Sequence, residues 1–131
     1  MFVDASAWTA ILLSEPEAEA FRLKLADAEI VITSAMATWE TVRAVAREAA
    51  GDFEDVRIRV AALQRLAAAQ IVSIGGPEQA VAVDAHVRFG KGRHPAKLNM
   101  GDCFAYACAR TNGVPLLYKG GDFALTDIEP A

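Results

Sequence analysis

The sequence predicts an α/β domain built on a parallel sheet with helices on both faces, and three observations predict it. Short apolar, β-branched segments alternate with longer stretches whose apolar residues recur at helical spacing. One or two helices separate each strand from the next, which demands crossover connections and therefore parallel pairing. Glycine and proline mark the joints, at Gly75-Gly76-Pro77, Gly90, Gly113-Val114-Pro115 and Gly120-Gly121. A chain of 131 residues, 53% of them hydrophobic, buries one core without staples, so a single domain over residues 1–131 is expected.

Along the chain, Phe2 to Asp4 is a short first strand, and Ala5-Ser6 opens a helix through Trp8, Ile11 and Leu12. Ser14-Glu15-Pro16-Glu17 has the composition of a helix start, with Ser14 as N-cap and Phe21 and Leu25 on one face of the helix it opens. Glu29 to Thr33 is β-branched and forms the second strand. Ser34 caps a longer helix reaching Gly51, in which Met36, Trp39, Val42, Val45, Ala46 and Ala49 form the apolar face. Asp52 to Gln70 repeats that pattern through Phe53, Val56, Val60, Leu63 and Leu66. Ile71 to Ile74 is the third strand. A helix runs from Pro77 to about Phe89, the segment GKGRHPAKLN is a loop, Gly101 to Arg110 is helical, and Leu116 to Lys119 is the fourth strand.

Composition narrows the function. No apolar run approaches the roughly 18 residues of a membrane span, and no basic stretch precedes an apolar one at the N-terminus. A soluble, cytoplasmic protein is expected. Cys103 and Cys108 lie five apart in an apolar stretch, a spacing that suits buried thiols rather than a zinc site. The formal charge of −4 argues against nucleic acid as a partner, but the average hides segregation. Between Asp84 and Asp102 there is no acid, while Arg88, Lys91, Arg93, Lys97, His86 and His94 all fall there.

Ligands of open parallel sheets bind outside the carboxyl ends of the strands. Asp4 ends the first strand at that edge. Asp102 opens a helix antiparallel to the strand after it, which brings its N-terminus to the same edge. Asp122 lies just past the last strand, and Glu40 sits in the second turn of the helix leaving the second strand. Two such charges at about 4 Å repel by roughly 4 kcal/mol at an effective dielectric near 20. No histidine or cysteine adjoins them, so the oxygen-only set suits a hard cation, Mg²⁺ or Mn²⁺, and such sites commonly act on phosphates.

Each acid alone also fits an ordinary role: Asp4 or Asp102 at a helix start, Asp122 in a turn, Glu40 paired with Arg43 or Arg47. Coincidence at one edge favours the metal. Removing these four acids would bring the formal charge from −4 to zero. Phosphoryl-transfer domains fit less well: a dehalogenase-like phosphatase needs a second acid where Ser6 stands, and a receiver domain needs a late Lys-Pro where Lys119 precedes glycine. A binding module whose acids only cap helices is the non-enzymatic alternative. Trp8 and Trp39 are expected in the core, and Asp84 is expected to pair with Arg88.

Four segments, MFVDASAW, TSAMATWETV, FGKGRHPAKLNMGDCFAYACAR and PLLYKGGDFALTDI, resemble the PIN-domain ribonucleases that act as VapC toxins of bacterial toxin-antitoxin pairs. The resemblance runs from Phe2 to Ile128. It implies a Rossmann-like parallel sheet of four to five strands, Mg²⁺-dependent cleavage of single-stranded or structured RNA, and neutralisation by a VapB antitoxin. Asp4, Glu40, Asp102 and Asp122 match the family's acidic quartet. Where relatives often carry an acid before the last aspartate this chain has Gly121, and other PIN proteins place it where Gly120 stands; Asp127 is the alternative fourth member.

In the chemistry so implied, Asp4 and Asp102 ligate the metal, Glu40 and Asp122 do so directly or through water, and Ser6 either orients Asp4 or simply caps the helix. The basic loop then gains a purpose, with Lys91, Arg93, His94 and Lys97 gripping RNA phosphates. His94 is also a candidate general acid, whereas His86 is expected to be structural. A homodimer is expected, with the Phe53–Leu66 helix as its face, and an antitoxin segment laid over the carboxylates with an arginine as plug.

Overall fold

The computed structural model describes residues 1–131. Its elements are β1 (Phe2–Val3), α1 (Ala5–Leu12), α2 (Ala18–Asp27), β2 (Ile32–Ser34), α3 (Ala35–Glu48), α4 (Phe53–Leu66), β3 (Gln70–Val72), α5 (Gly76–Phe89), α6 (Met100–Thr111) and β4 (Leu116–Leu117), then a 3₁₀ turn at Phe123–Leu125. The sheet order is β3-β2-β1-β4 and every pairing is parallel, with Phe2 opposite Ile32 on one side and Leu116 on the other. The chain therefore winds outward from β1 to β3, then returns across the sheet to add β4 on β1's free side. That reversal makes the carboxyl end of β1 the switch point of the sheet, where a crevice opens.

Strands β1 and β2 are shorter than expected because α1 and α3 begin almost where they end. Ser34 is both the last residue of β2 and the N-cap of α3, its Oγ accepting the Ala37 N–H at 3.1 Å. Ile30, expected inside the second strand, is exposed ahead of it. A single parallel bridge between Leu116 and Pro130 lays the tail beside β4 without adding a strand, so the sheet has four strands, the lower end of the expected range. Helix α2 starts at Ala18 rather than capping on Ser14, which instead takes a left-handed backbone at φ 54°.

Strand alternation sorts the core onto two faces. Phe2, Ile32 and Leu116 pack with Phe89 of α5, Cys103 and Tyr106 of α6, and Leu98 of the loop between those helices. Val3, Val31 and Leu117 pack on the other face with Trp8, Ile11, Phe21 and Leu25. Trp8 is fully buried, and its Nε1–H donates to Thr33 Oγ1 at 3.2 Å. Burial pushes the free thiols of Cys103 and Cys108 up to about 11, so they are inert packing groups.

Two expected faces are corrected. Helix α3 buries Ala37, Thr41, Val45 and Ala46, leaving Trp39 56% exposed. The small residues admit close approach, so the packed stripe is turned away from the one that large apolar residues suggest. In α4, Val56 and Val60 are buried, but Phe53 and Leu66 at its ends are 61% and 86% exposed. The loop after α5 needs Gly90, since a Cβ there would overlap the His86 carbonyl. No helix is long and apolar enough to cross a membrane.

Candidate active site

Asp4 leaves β1 at the switch point and is 4% exposed. Its Oδ2 accepts the Ser6 N–H at 2.9 Å and the Ser6 hydroxyl at 2.6 Å. The Ser6 Oγ in turn accepts the Lys119 N–H at 2.9 Å, tying the carboxylate to the end of β4. Capping and site-building are thus one act: a single oxygen of Asp4 serves the helix. Burial pushes this carboxyl above its ordinary value, against the pull of the Ser6 donors.

Asp102 is held by a reciprocal cap at the start of α6. Asn99 Oδ1 accepts the Asp102 N–H at 3.1 Å, and Asp102 Oδ2 accepts the Asn99 N–H at 2.8 Å. The signal for this cap is present in Asn99-Met100-Gly101-Asp102, although the expected start at Gly101 falls one residue late. Burial raises the Asp102 carboxyl to about 6, opposed by the Asn99 N–H and assisted by the charges of Asp4 and Asp122. Glu40, on α3, is raised to about 7 by burial first, then by Asp4 and Asp102, with Arg43 opposing.

These three carboxylates share a cavity of about 470 Å³, whose walls also include Ser6, Thr9, Asn99, Arg43, Arg47 and Lys119. Sequence reasoning overlooked Thr9 and Asn99 as wall residues; Thr9 Oγ1 is buried there with no hydrogen-bond partner. Two of the nearby cations are engaged by other acids of the same wall, Glu15 and Glu48. Lys119 Nζ meets Glu15 at 2.9 Å and Glu17 at 3.3 Å, Arg47 meets Glu48 at 2.8 Å, and Arg43 lies over the Trp39 ring. The side chains do not stand at metal-ligating separation as a group of three or more. Their chemistry nevertheless fits a hard divalent ion: the donors are oxygen only and mutually repelling, and none of the three is in a salt bridge.

Gly101 is part of the construction. A Cβ there would overlap the Glu40 carboxylate, whose end is flexible enough to swing away. Gly101→Ala is therefore expected to keep the fold, with a melting temperature near wild type, while displacing Glu40 and lowering activity at least tenfold; paired melting and RNA-cleavage assays check both.

The remaining expected residues are placed differently. Asp122 is exposed at the start of the 3₁₀ turn and does not line the cavity, although its charge reaches Asp102. Asp127 does not line the cavity either: it accepts from Arg88 at 2.8 Å and from Tyr106 Oη at 2.7 Å, bonds that hold it below the usual carboxylate range. Arg88 also meets Asp84, at 3.6 Å, as expected from their spacing. Lys91, Arg93, His94 and Lys97 line a separate shallow groove. The loop is braced by Lys91 N–H to Leu98 O and Leu98 N–H to Phe89 O, both at 3.0 Å. His94 helps to build it, its Nδ1 accepting the Ala96 N–H at 3.1 Å and its ring meeting Phe89 edge-on.

Residues 1–129 match the family model described as PIN domain. A VapC ribonuclease of Rhizobium meliloti (strain 1021) is 38% identical over 97% of this chain and 98% of its own length. A Ribonuclease VapC of Mycolicibacterium smegmatis is 40% identical over 98% and 97%. Among solved structures, VapC20 of Mycobacterium tuberculosis, described as a sarcin-ricin loop cleaving toxin, superposes with a TM-score of 0.77 over 99% of this chain and 97% of that one, at 18% identity. With the family model spanning nearly every residue and relatives this similar along their full length, the chain belongs to the PIN-domain family, among the VapC ribonucleases.

Proposed function

We propose that the chain is a metal-dependent endoribonuclease toxin acting in the cytoplasm, with Asp4, Glu40 and Asp102 as its catalytic carboxylates and Asp122 as an outer member at the rim. The observation that carries this is that three carboxylates, remote in sequence, line one cavity at the switch point and that none of the three is in a salt bridge. Asp4 and Asp102 would hold Mg²⁺, or Mn²⁺ in its place, with Glu40 and Asp122 ligating directly or through water. A bound cation supplies Lewis acidity toward the scissile phosphate and the attacking water. Asp4 and Asp102 are fixed by N–H donors, whereas Glu40 makes no hydrogen bond and is free to take the water's proton at its carboxylate. Ser6 keeps Asp4 oriented. The test is cleavage of total RNA by purified protein, with end mapping: cutting with Mg²⁺ and none with EDTA supports the reading, and cutting that survives EDTA overturns it.

The basic loop serves the same reaction. Lys91, Arg93 and Lys97 are exposed and form no ion pair, and a braced loop presents them without further ordering. These three bind RNA phosphates, with His94 setting the loop's shape. Replacing all three by glutamine is expected to weaken RNA binding and to flatten its salt dependence by about two in the logarithmic slope. Titrations at several salt concentrations measure this.

A VapB-type antitoxin neutralises the enzyme by covering the carboxylate cavity, an arginine being the complementary plug. The chain also pairs with itself. Leu63 and Leu66 of α4 line one apolar groove, and Val83 and Val87 of α5 with Met100 and Phe104 of α6 line another. A second copy seated there gives a dimer, and light scattering that finds only monomer at high concentration would reject it.

A further inference from the structure

Trp39 precedes Glu40 on α3 and is 56% exposed, on a helix that buries its opposite side against the core. The Arg43 guanidinium lies 4.7 Å from the centre of its ring, one turn further on. Arg43 and Arg47 belong to the wall of the carboxylate cavity, and Trp39, outside that wall, continues their stripe at i, i+4, i+8 spacing. Single exposed apolar residues are ordinary on protein surfaces. This one is distinguished by its planar cationic partner and by its position beside Glu40. An indole face adjoining a guanidinium offers π-surface for an unpaired base and positive charge for the phosphate attached to it.

Building on the ribonuclease reading, we propose that Trp39 and Arg43 form a nucleotide subsite at the rim of the carboxylate cavity: Trp39 stacks one unpaired base of the RNA and Arg43 holds an adjoining phosphate, delivering the next phosphodiester to the carboxylates. The occupant is RNA rather than protein because Arg43, which is in no ion pair, stands beside Trp39 on the same wall that carries Glu40. A polyanion laid along this wall is anchored by the arginine and met by the cavity beside it. Stacking discriminates paired from unpaired bases without reading sequence, so the subsite selects for single-stranded segments.

The probe is a fluorescently labelled, unpaired RNA of about twelve nucleotides and mixed sequence, bound to Asp4→Asn protein so that it is not cut. Binding is expected to quench the emission of Trp39, against the constant signal of the fully buried Trp8. Trp39→Ala is expected to raise Kd about tenfold and abolish the quench, Trp39→Phe to restore most of the affinity, and Arg43→Gln to weaken binding and lower the salt slope by about 0.7. Both side chains are exposed, so melting temperatures should stay near that of the parent, which confirms folding. An unchanged Kd in Trp39→Ala, or tight binding without quenching, overturns the subsite alone. Loss of antitoxin binding with RNA affinity intact also overturns it and gives the stripe to the antitoxin. Failure of the parent protein to bind RNA, together with failure of wild type to cut any, removes the ribonuclease reading and this inference with it.

Discussion

Asp4→Asn is expected to reduce RNA cleavage at least a hundredfold while leaving the metal-free protein no less stable than wild type at about pH 8. The two halves of this result come from different oxygens of one residue. An asparagine Oδ1 still accepts the Ser6 N–H, so the cap on α1 survives. The charge disappears, and with it both a metal ligand and the repulsion that Asp4 exerts on Glu40 and Asp102. A buried carboxylate with no cationic partner destabilises the fold, so its neutralisation relieves the protein. Divalent cations, which should raise the melting temperature of wild type, should raise that of the variant much less. A variant that unfolds would show that Asp4 serves the fold first; one that cuts RNA at the wild-type rate would remove it from the chemistry.

Metal removal is expected to make stability strongly pH-dependent. The folded-state carboxyls of Asp4, Glu40 and Asp102 all titrate above their ordinary values, Glu40 at about 7 and Asp102 at about 6. A carboxyl raised on folding binds protons more tightly in the native state, so it favours folding at low pH and that contribution is lost as pH rises through the folded values. Protein treated with EDTA should therefore melt higher at about pH 6 than at about pH 8. The opposing, lowered carboxyl of Asp127 is already ionised across that window and does not alter the sign. Added Mg²⁺ or Mn²⁺ should restore the loss most strongly at the alkaline end, where the ligands are ionised. At a hundredfold excess over Kd, ligand binding stabilises by about 2.7 kcal/mol, which for a chain of this size is roughly ten degrees. Melting curves across this range, with and without metal, test it; a flat profile without metal would mean that the carboxylates do not repel as their positions require.

The convergence of Asp4, Glu40 and Asp102 is legible in the sequence because topology dictates it. A parallel sheet puts strand ends and the starts of returning helices on one edge, whatever the side-chain detail. Asp122 is less legible, since the two glycines before it allow the chain to turn without fixing where it goes, and Gly120 takes a left-handed backbone at φ 100° that sends Asp122 to the rim. Asp127 resembles a substitute because its proximity in sequence is visible, while its bonds to Arg88 and Tyr106, 39 and 21 residues away, are not. Trp39 is misplaced by its sequence pattern for a related reason. Periodicity reports where large apolar residues recur, but α3 approaches its neighbours through Ala37 and Thr41, and small residues leave a weaker pattern.

The bond between Ser6 and Lys119 joins positions 113 apart, and Phe2 and Asp4 complete their backbone pairing only with Pro115 and Leu117. During synthesis the segment bearing Asp4 thus leaves the ribosome long before the segment that secures it, and contacts of such separation close late in folding. A polypeptide lacking residues 115–119 lacks the bond that ties Ser6, and through it Asp4, to the end of β4. For a ribonuclease translated among its own substrate class, the anchoring of Asp4 to β4 waits on the last strand to leave the ribosome.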